Sequence, residues 1–302
     1  MIPNVLQGDI TTSDGSTIPS LGFVVWWNVR DVEVTKDWFK DMLDSVGLDG
    51  DRYAKEHNYR ATFMRCLKLL EEQRIIRRVK EDGSRMIYQF TAENLIDDAD
   101  DPRLEYTPEA IVEIDKSVYW NDGSIANALV RCDEKLKPVL VEMFDKEKVT
   151  YRSSDLTRYV QNIFKSQADI VSLRQQGAVY FVPAAYQELV GQVAQVLESV
   201  PHGNAHLEFF PVPDVKSSQL MVGRAVETEL DEVFQKLETE IQKMQKGTNN
   251  ITDKWVRHRQ DQIKRIQNRI ASYADLLGDS AGTLGTKFDM LKATLGGRKI
   301  EV

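Results

Sequence analysis

Apolar residues recur at helical spacing in two segments of the N-terminal third. Thr35 is a good N-cap residue, and the stripe that follows it predicts a helix ending near Gly47. This stripe comprises Trp38, Phe39, Met42, Leu43 and Val46. A second helix is predicted over residues 58–72, with an apolar stripe formed by Tyr59, Phe63, Cys66, Leu67 and Leu70.

Two β elements flank these helices. Residues 22–29 form a short run of β-prone side chains. Downstream, residues 74–91 are predicted to form a hairpin, because Met86, Tyr88 and Phe90 alternate along its second strand and Asp82-Gly83 favours a two-residue turn.

Helices followed by a basic hairpin are the element order of a winged helix, and residues 30–91 resemble that family. The resemblance places residues 58–72 as the recognition helix, residues 80–85 at the tip of the wing and the middle helix at residues 51–56. It implies that recognition helix and wing contact DNA. Winged-helix units also serve in protein–protein contacts, so that alternative stays open.

The middle of the chain, residues 103–216, is predicted to be an α+β domain. Its predicted elements are a helix over 135–146, a helix beginning at Ser153 or Ser154, a hairpin over 169–182, a helix over 184–200 and a strand over 206–212. The first half of this domain repeats the element order of the N-terminal domain, so a second winged-helix-like unit is a further possibility for this region. Residues 173–183 are faintly similar to uncharacterised phage and plasmid proteins, and that similarity implies no function.

The last third is predicted to be an antiparallel helical hairpin with coiled-coil spacing over residues 217–280, broken at residues 247–250. Its two apolar stripes are Leu230, Val233, Leu237, Ile241 and Met244, and Ile263, Ile266, Ile270, Tyr273 and Leu277. The complete predicted fold is α+β. Its remaining segments are a flexible N-terminus (1–20), the winged-helix domain (21–91), an acidic linker (92–102) and a C-terminal tail (281–302).

Charge changes the picture of the N-terminal domain. The 302 residues contain 39 Lys and Arg against 47 Asp and Glu, a net charge of −8 that argues against a nucleic-acid coat over the whole surface. Between residues 92 and 115, nine acids stand against one base, Arg103, so this stretch alone accounts for the excess. A local basic surface just upstream is therefore compatible with the acidic total.

Basic side chains concentrate on the predicted recognition helix and wing. Residues 74–85 hold five bases against two acids, and three more bases lie off the apolar stripe of the helix. The predicted nucleic-acid-binding residues are Arg60, Arg65, Lys68, Arg74, Arg77, Arg78, Lys80 and Arg85. Glu71 and Glu72 near the end of the helix favour protein contact instead.

A second basic patch is predicted on the last long helix, around Trp255. Its members are Lys254, Arg257, Arg259, Lys264, Arg265 and Arg269. The partner arm of the hairpin is acidic, so pairing between the arms is the alternative interpretation of these charges.

Enzymatic chemistry finds little support in the sequence. No glycine-rich phosphate-binding loop follows a strand, and His202 and His206 lie in a Pro/Gly turn, so neither a cofactor nor a metal is predicted. A metal-dependent nuclease using Glu208, Asp214 and Lys216 is a third hypothesis.

The cysteines and the absence of long apolar segments bear on the cellular location. Cys66 and Cys132 are predicted to be buried free thiols. Without a signal peptide or a long apolar span, a cytoplasmic protein with no membrane contact is expected.

These patterns predict a non-enzymatic DNA-binding protein that contacts a duplex through its winged helix. It would assemble with itself or another protein through the C-terminal hairpin. The alternative is an adaptor subunit whose contacts are all with protein.

Overall fold

A computed structural model describes residues 9–11, 15–71, 74–96, 103–116, 125–174, 178–245 and 253–296. The protein has an α+β fold whose chain divides into two compact units. Unit 1 comprises Met1–Arg30 and Leu156–Val302, and unit 2 comprises Asp31–Asp155.

The strands are β1 (Asp9–Thr11), β2 (Thr17–Arg30), β3 (Glu33–Thr35), β4 (Ile75–Glu81), β5 (Arg85–Ile96), β6 (Arg103–Asp115), β7 (Leu129–Arg131), β8 (Thr150–Arg152), β9 (Val171–Ser172), β10 (Tyr180–Pro183) and β11 (Asn204–Pro213). The helices are α1 (Lys36–Ser45), α2 (Gly50–Tyr53), α3 (Tyr59–Leu70), α4 (Ile125–Ala128), α5 (Leu136–Lys148), α6 (Ser153–Gln167), α7 (Gln187–Glu198), α8 (Lys216–Gln245), α9 (Asp253–Ser272), α10 (Ala274–Leu277) and α11 (Asp279–Gly296).

Unit 2 contains an antiparallel sheet in the order β4-β5-β6-β7 and a separate strand pair, β3–β8. The helix predicted after Thr35 is confirmed as α1, and the Thr35 hydroxyl accepts a hydrogen bond from the Trp38 amide at 3.2 Å. The core combines the buried face of α3 with one face of the sheet and with α5, and includes Phe63, Phe90 and Phe144.

The predicted acidic linker at residues 92–102 is wrong for residues 92–96, which continue strand β5. These residues pair with the start of β6, from Ala92 opposite Thr107 to Ile96 opposite Arg103, and residues 97–102 lie outside the described ranges. Glu and Asn are poor strand formers, but the main-chain ladder to β6 overrides that preference. A domain boundary at residue 102 would cut through this hairpin.

Unit 1 is built around the long strand β2. Strand β10 pairs with Gly22–Val25 and β11 pairs with most of β2, from Gly22 opposite Val212 to Arg30 opposite Asn204. Residues 22–29 are therefore a strand, as predicted, but that strand belongs with the C-terminal half of the chain rather than with residues 31–91. The predicted boundary at residue 21 is wrong because the partner of β2 lies far away in sequence.

The predicted flexible N-terminus is also wrong where the chain is described. Strand β1 pairs with the start of β2, with Ile10 opposite Ile18, while residues 1–8 and 12–14 lie outside the described ranges.

Three long helices complete the core of unit 1. Apolar residues of α8 and α9 pack with α11, whose Leu284, Phe288 and Leu291 are buried. The predicted tail at residues 281–302 is therefore wrong through residue 296. Gly282 and Gly285 lower helix propensity, but the apolar stripe of α11 compensates by packing.

Candidate nucleic-acid interface

Helix α3 presents its basic residues on one exposed stripe. The Asn58 side chain caps the helix by accepting a hydrogen bond from the Ala61 amide at 2.8 Å. Phe63, Cys66 and Leu67 then face the core. The exposed stripe steps by four, four and three residues and consists of Arg60, Met64, Lys68 and Glu71.

The β4–β5 hairpin is closed by Asp82, whose carboxylate accepts hydrogen bonds from the amides of Ser84 and Arg85, each at 2.9 Å. These two backbone hydrogen bonds, together with the Ser84 hydroxyl and Lys80, lower the pKa of Asp82. The hairpin predicted from Asp82-Gly83 is confirmed.

Register separates the hairpin cations onto two faces. Arg78 lies opposite Tyr88 and therefore on the face that carries α3, whereas Arg77 lies opposite Gln89 on the other face. A bulge between Arg78 and Lys80 leaves Lys80 opposite Ile87, so that Lys80 shares the face of Arg77.

Three cations surround the carboxylate of Glu81. The Arg60 guanidinium lies 3.7 Å from it, the Lys116 ammonium 3.0 Å, and Arg78 also contacts it. The hydrogen bond from Lys116, together with the charges of Arg78 and Arg60, lowers the pKa of Glu81. The group carries two more positive charges than negative, because one carboxylate is shared among three cations. Lys116 was not among the predicted site residues.

The other predicted cations differ in how far they are neutralised. Arg74 pairs with Glu109 at 3.3 Å, Lys80 with Asp82 at 3.3 Å and Arg85 with Glu113 at 2.7 Å. Lys68 and Arg77 are exposed and have no carboxylate partner within the described ranges.

Arg65 is not an exposed cation, and its prediction as such is wrong. Its guanidinium donates to Glu147 at 3.2 Å, to Asp155 at 2.7 Å and to the Thr150 carbonyl at 3.2 Å. The residues next to Arg65 in the sequence do not indicate this role, because both carboxylates belong to residues that lie far from Arg65 along the chain.

A second arginine completes this buried network. Arg152 also donates to Glu147, at 2.6 Å. Burial opposes ionisation of Glu147, but the interactions with Arg152 and Arg65 outweigh it and lower its pKa.

A cleft of about 600 Å³ lies between α3 and the hairpin. Its lining combines cations with apolar side chains, and comprises Arg60, Met64, Arg65, Leu67, Lys68, Glu71, Ile76, Arg78 and Tyr88. Tyr88 and Met64 are in contact, with the phenol oxygen 3.5 Å from the thioether sulfur. Met64 is 46% exposed, so this thioether is accessible from the cleft.

Part of the second predicted patch is used internally. Arg259 pairs with Glu240 at 2.7 Å and lies over the Trp255 ring, and Arg269 pairs with Glu229 at 2.9 Å. Arg269 also donates to the Ile170 carbonyl. The alternative of pairing between the arms is thus confirmed for these two arginines. Arg257, Lys264 and Arg265 are exposed, and the Lys254 side chain lies outside the described part.

The nuclease residues form no metal cluster in the described structure. Glu208 contacts His206 at 3.5 Å, and Asp214 accepts a hydrogen bond from Gln219 at 2.7 Å. Across the described ranges, no three His, Cys, Asp or Glu side chains are grouped so that they could hold a metal ion.

The two cysteines are free thiols. Burial raises the pKa of Cys66 to about 12, so the thiol stays protonated at neutral pH. Cys132 is only half-buried.

None of the helices in the described ranges combines the length and apolar character that a membrane crossing requires.

The chain belongs to a family of unknown function, DUF6744, which matches residues 20–301. No curated protein and no solved structure matches the chain.

Proposed function

We propose that this member of the DUF6744 family is a nucleic-acid-binding protein that contacts phosphates with α3 and the β4–β5 hairpin. The observation that carries the proposal is the group of Arg60, Arg78 and Lys116 around Glu81, whose excess positive charge suits a further anion. The order α1, α2, α3 and hairpin, which is that of a winged helix, supports it.

Lys68 extends this cationic surface along α3. It lines the same cleft as Arg60 and Arg78, and its ammonium is exposed. Phosphates of a nucleic-acid backbone follow one another at regular spacing, so a row of cations binds them better than a single site would. About three phosphate contacts would give a plot of log affinity against log salt concentration a slope of about −2 for a single strand and about −3 for a duplex.

The test is fluorescence anisotropy of a labelled DNA, titrated between about 50 and 200 mM salt. We expect Arg60→Ala and Lys68→Ala each to weaken binding and to reduce the salt slope by about one. Lys137→Ala removes an exposed cation of unit 2 outside the cleft and serves as the matched control. Absence of binding at low salt, or equal affinity of all variants, would overturn the proposal.

An adaptor role is the second candidate. It is favoured by the end of the β5–β6 pair where β5 ends and β6 begins. Leu95 and Leu104 lie opposite each other and, with Tyr106 on the same face, are at least 48% exposed. Exposed apolar clusters of this kind mark protein contacts.

The C-terminal hairpin offers less for assembly, because Leu237, Ile241 and Ile263 are buried in the core of unit 1. Light scattering of the wild type and of Leu95→Ser/Leu104→Ser tests the adaptor role. We expect self-association that the double variant abolishes. A wild type that stays monomeric at high concentration would count against this second candidate.

A further inference from the structure

The cleft between α3 and the hairpin differs from a surface that fits only phosphates. Its volume of about 600 Å³ falls within the range of about 300–1,000 Å³ typical of pockets that enclose small organic groups. Cations line it through Arg60, Lys68 and Arg78, while Met64 offers an accessible apolar surface between them. The combination suits a ligand with both anionic and apolar parts.

The exposed stripe of α3 is poorly suited to reading a duplex. Helices that read the major groove present side chains such as Asn, Gln, Arg or Lys to base edges, and on this stripe only Lys68 is both of that kind and without a carboxylate partner in the described ranges. Here Met64 occupies the middle of the stripe, and Arg60 is directed to Glu81 at 3.7 Å.

An unpaired base matches what the cleft offers. In a duplex the faces of the bases are covered by stacking, whereas a single strand exposes them. Proteins that bind single strands join a cationic track for the backbone to side chains against which the bases lie. A thioether favours contact with aromatic rings. The Met64 sulfur accepts a hydrogen bond from the Tyr88 hydroxyl at 3.5 Å and is otherwise open to the cleft through the exposed part of the side chain.

We infer that the ligand of this cleft is a nucleic-acid segment with unpaired bases, one of which lies against Met64 while its flanking phosphates contact Arg60, Lys68 and Arg78. This inference rests on the proposed function and narrows it. It replaces the duplex that the winged-helix resemblance implies.

Three labelled probes of equal length distinguish the contribution of the bases to affinity from that of the backbone. They are single-stranded oligothymidine, the same strand with abasic residues over its central part, and the corresponding duplex. Anisotropy with the full-length wild type should show the tightest binding to oligothymidine, by about fivefold or more over the abasic strand. Met64→Ala should weaken oligothymidine binding about two- to tenfold and leave the abasic strand unaffected.

Two controls keep the outcomes distinct. Met64 is 46% exposed, so its truncation should leave the far-ultraviolet circular dichroism spectrum and the thermal midpoint unchanged. Met290→Ala removes another exposed methionine, in unit 1, and should affect no probe.

Equal affinity for the oligothymidine and abasic strands, or tighter binding of the duplex, would overturn the inference while leaving the proposed function standing. No binding of any probe would overturn both. Loss of binding to all three probes in Met64→Ala would also contradict the inference, because the thioether would then support the backbone site and not the base.

Discussion

At the scale of single residues, Glu81 is the most informative side chain of the candidate interface. Its carboxylate lies among Arg60, Arg78 and Lys116, and its lowered pKa means that it is ionised at neutral pH. Under the proposed function, a carboxylate in this position occupies the place that a phosphate oxygen would take. It should therefore compete with the nucleic acid for the same cations.

We expect Glu81→Gln to tighten nucleic-acid binding at low salt, because it removes the competing charge and keeps the size of the side chain. Anisotropy at one low salt concentration measures the effect. Glu142→Gln, which removes an exposed carboxylate outside the cleft, should change affinity much less. Weaker binding of Glu81→Gln than of the wild type would show that Glu81 organises the cations instead of competing for them.

Arg65 has a different role, since its contacts with Glu147 and Asp155 are largely buried. Arg65→Ala should destabilise unit 2 by about 3 kcal/mol, because Asp155 would lose a charged partner inside the protein. Arg152 still pairs with Glu147, which places the effect at the low end for buried ion pairs. Urea unfolding measures the loss, with Lys68→Ala as the exposed control on the same helix.

The lowered pKa of Glu147 predicts a dependence of stability on pH. A carboxyl group whose pKa is lower in the folded than in the unfolded protein stabilises the fold at pH values above its ordinary pKa of 4.5. This contribution decreases progressively as pH falls from that value through the lower pKa of the folded state. Urea unfolding at pH 7 and pH 4 should show the loss. In Glu147→Gln the loss should be smaller, because the titrating group is absent.

At the scale of elements, α11 shows how packing can outweigh a weak local signal. Phe288 is fully buried and contacts Phe234 edge to face, with ring centroids 5.6 Å apart. Because α11 contains glycines, helix propensity alone does not predict that it belongs to the core. The spacing of Leu284, Phe288 and Leu291 does indicate a buried helical face.

Phe288→Ala should reduce the free energy of unfolding by about 3–5 kcal/mol, as expected for truncating a buried aromatic side chain. Thermal unfolding followed by circular dichroism gives the comparison. Met290→Ala, two residues away and 66% exposed, should have almost no effect. Equal effects of the two substitutions would contradict the placement of α11 in the core.

Elements with local signals could be predicted from the sequence. The caps at Thr35 and Asn58 and the turn at Asp82 each rest on residues a few positions apart. Strand partners could not be predicted, because Trp27 lies opposite Leu207 without any local mark of that pairing. Glu147 and Asp155 could not be predicted as partners of Arg65 for the same reason, and Arg65 was therefore wrongly predicted to be exposed.

At the scale of the whole molecule, unit 2 is inserted into unit 1, between β2 and the body of α6. Its two ends are neighbours, because β3 pairs with β8 and places Glu33 opposite Arg152. An inserted domain with adjacent ends and its own core can fold alone.

We expect residues 31–155, expressed separately, to unfold cooperatively on heating and to bind nucleic acid as tightly as the full chain. Calorimetry and anisotropy test the two parts of this expectation. A fragment that folds but has lost its affinity would show that unit 1 contributes to binding.

The β3–β8 pair also bears on how unit 1 reaches its fold. Trp27 stacks on Phe164, with ring centroids 5.9 Å apart, although all of unit 2 lies between them in sequence. Closing so long a loop in an unfolded chain costs entropy that grows with the logarithm of its length. Once unit 2 has folded and its ends are joined, the same contact closes only a short loop. Folding of unit 2 first therefore turns the most distant contacts of unit 1 into nearly local ones, and gives the chain a preferred order of assembly.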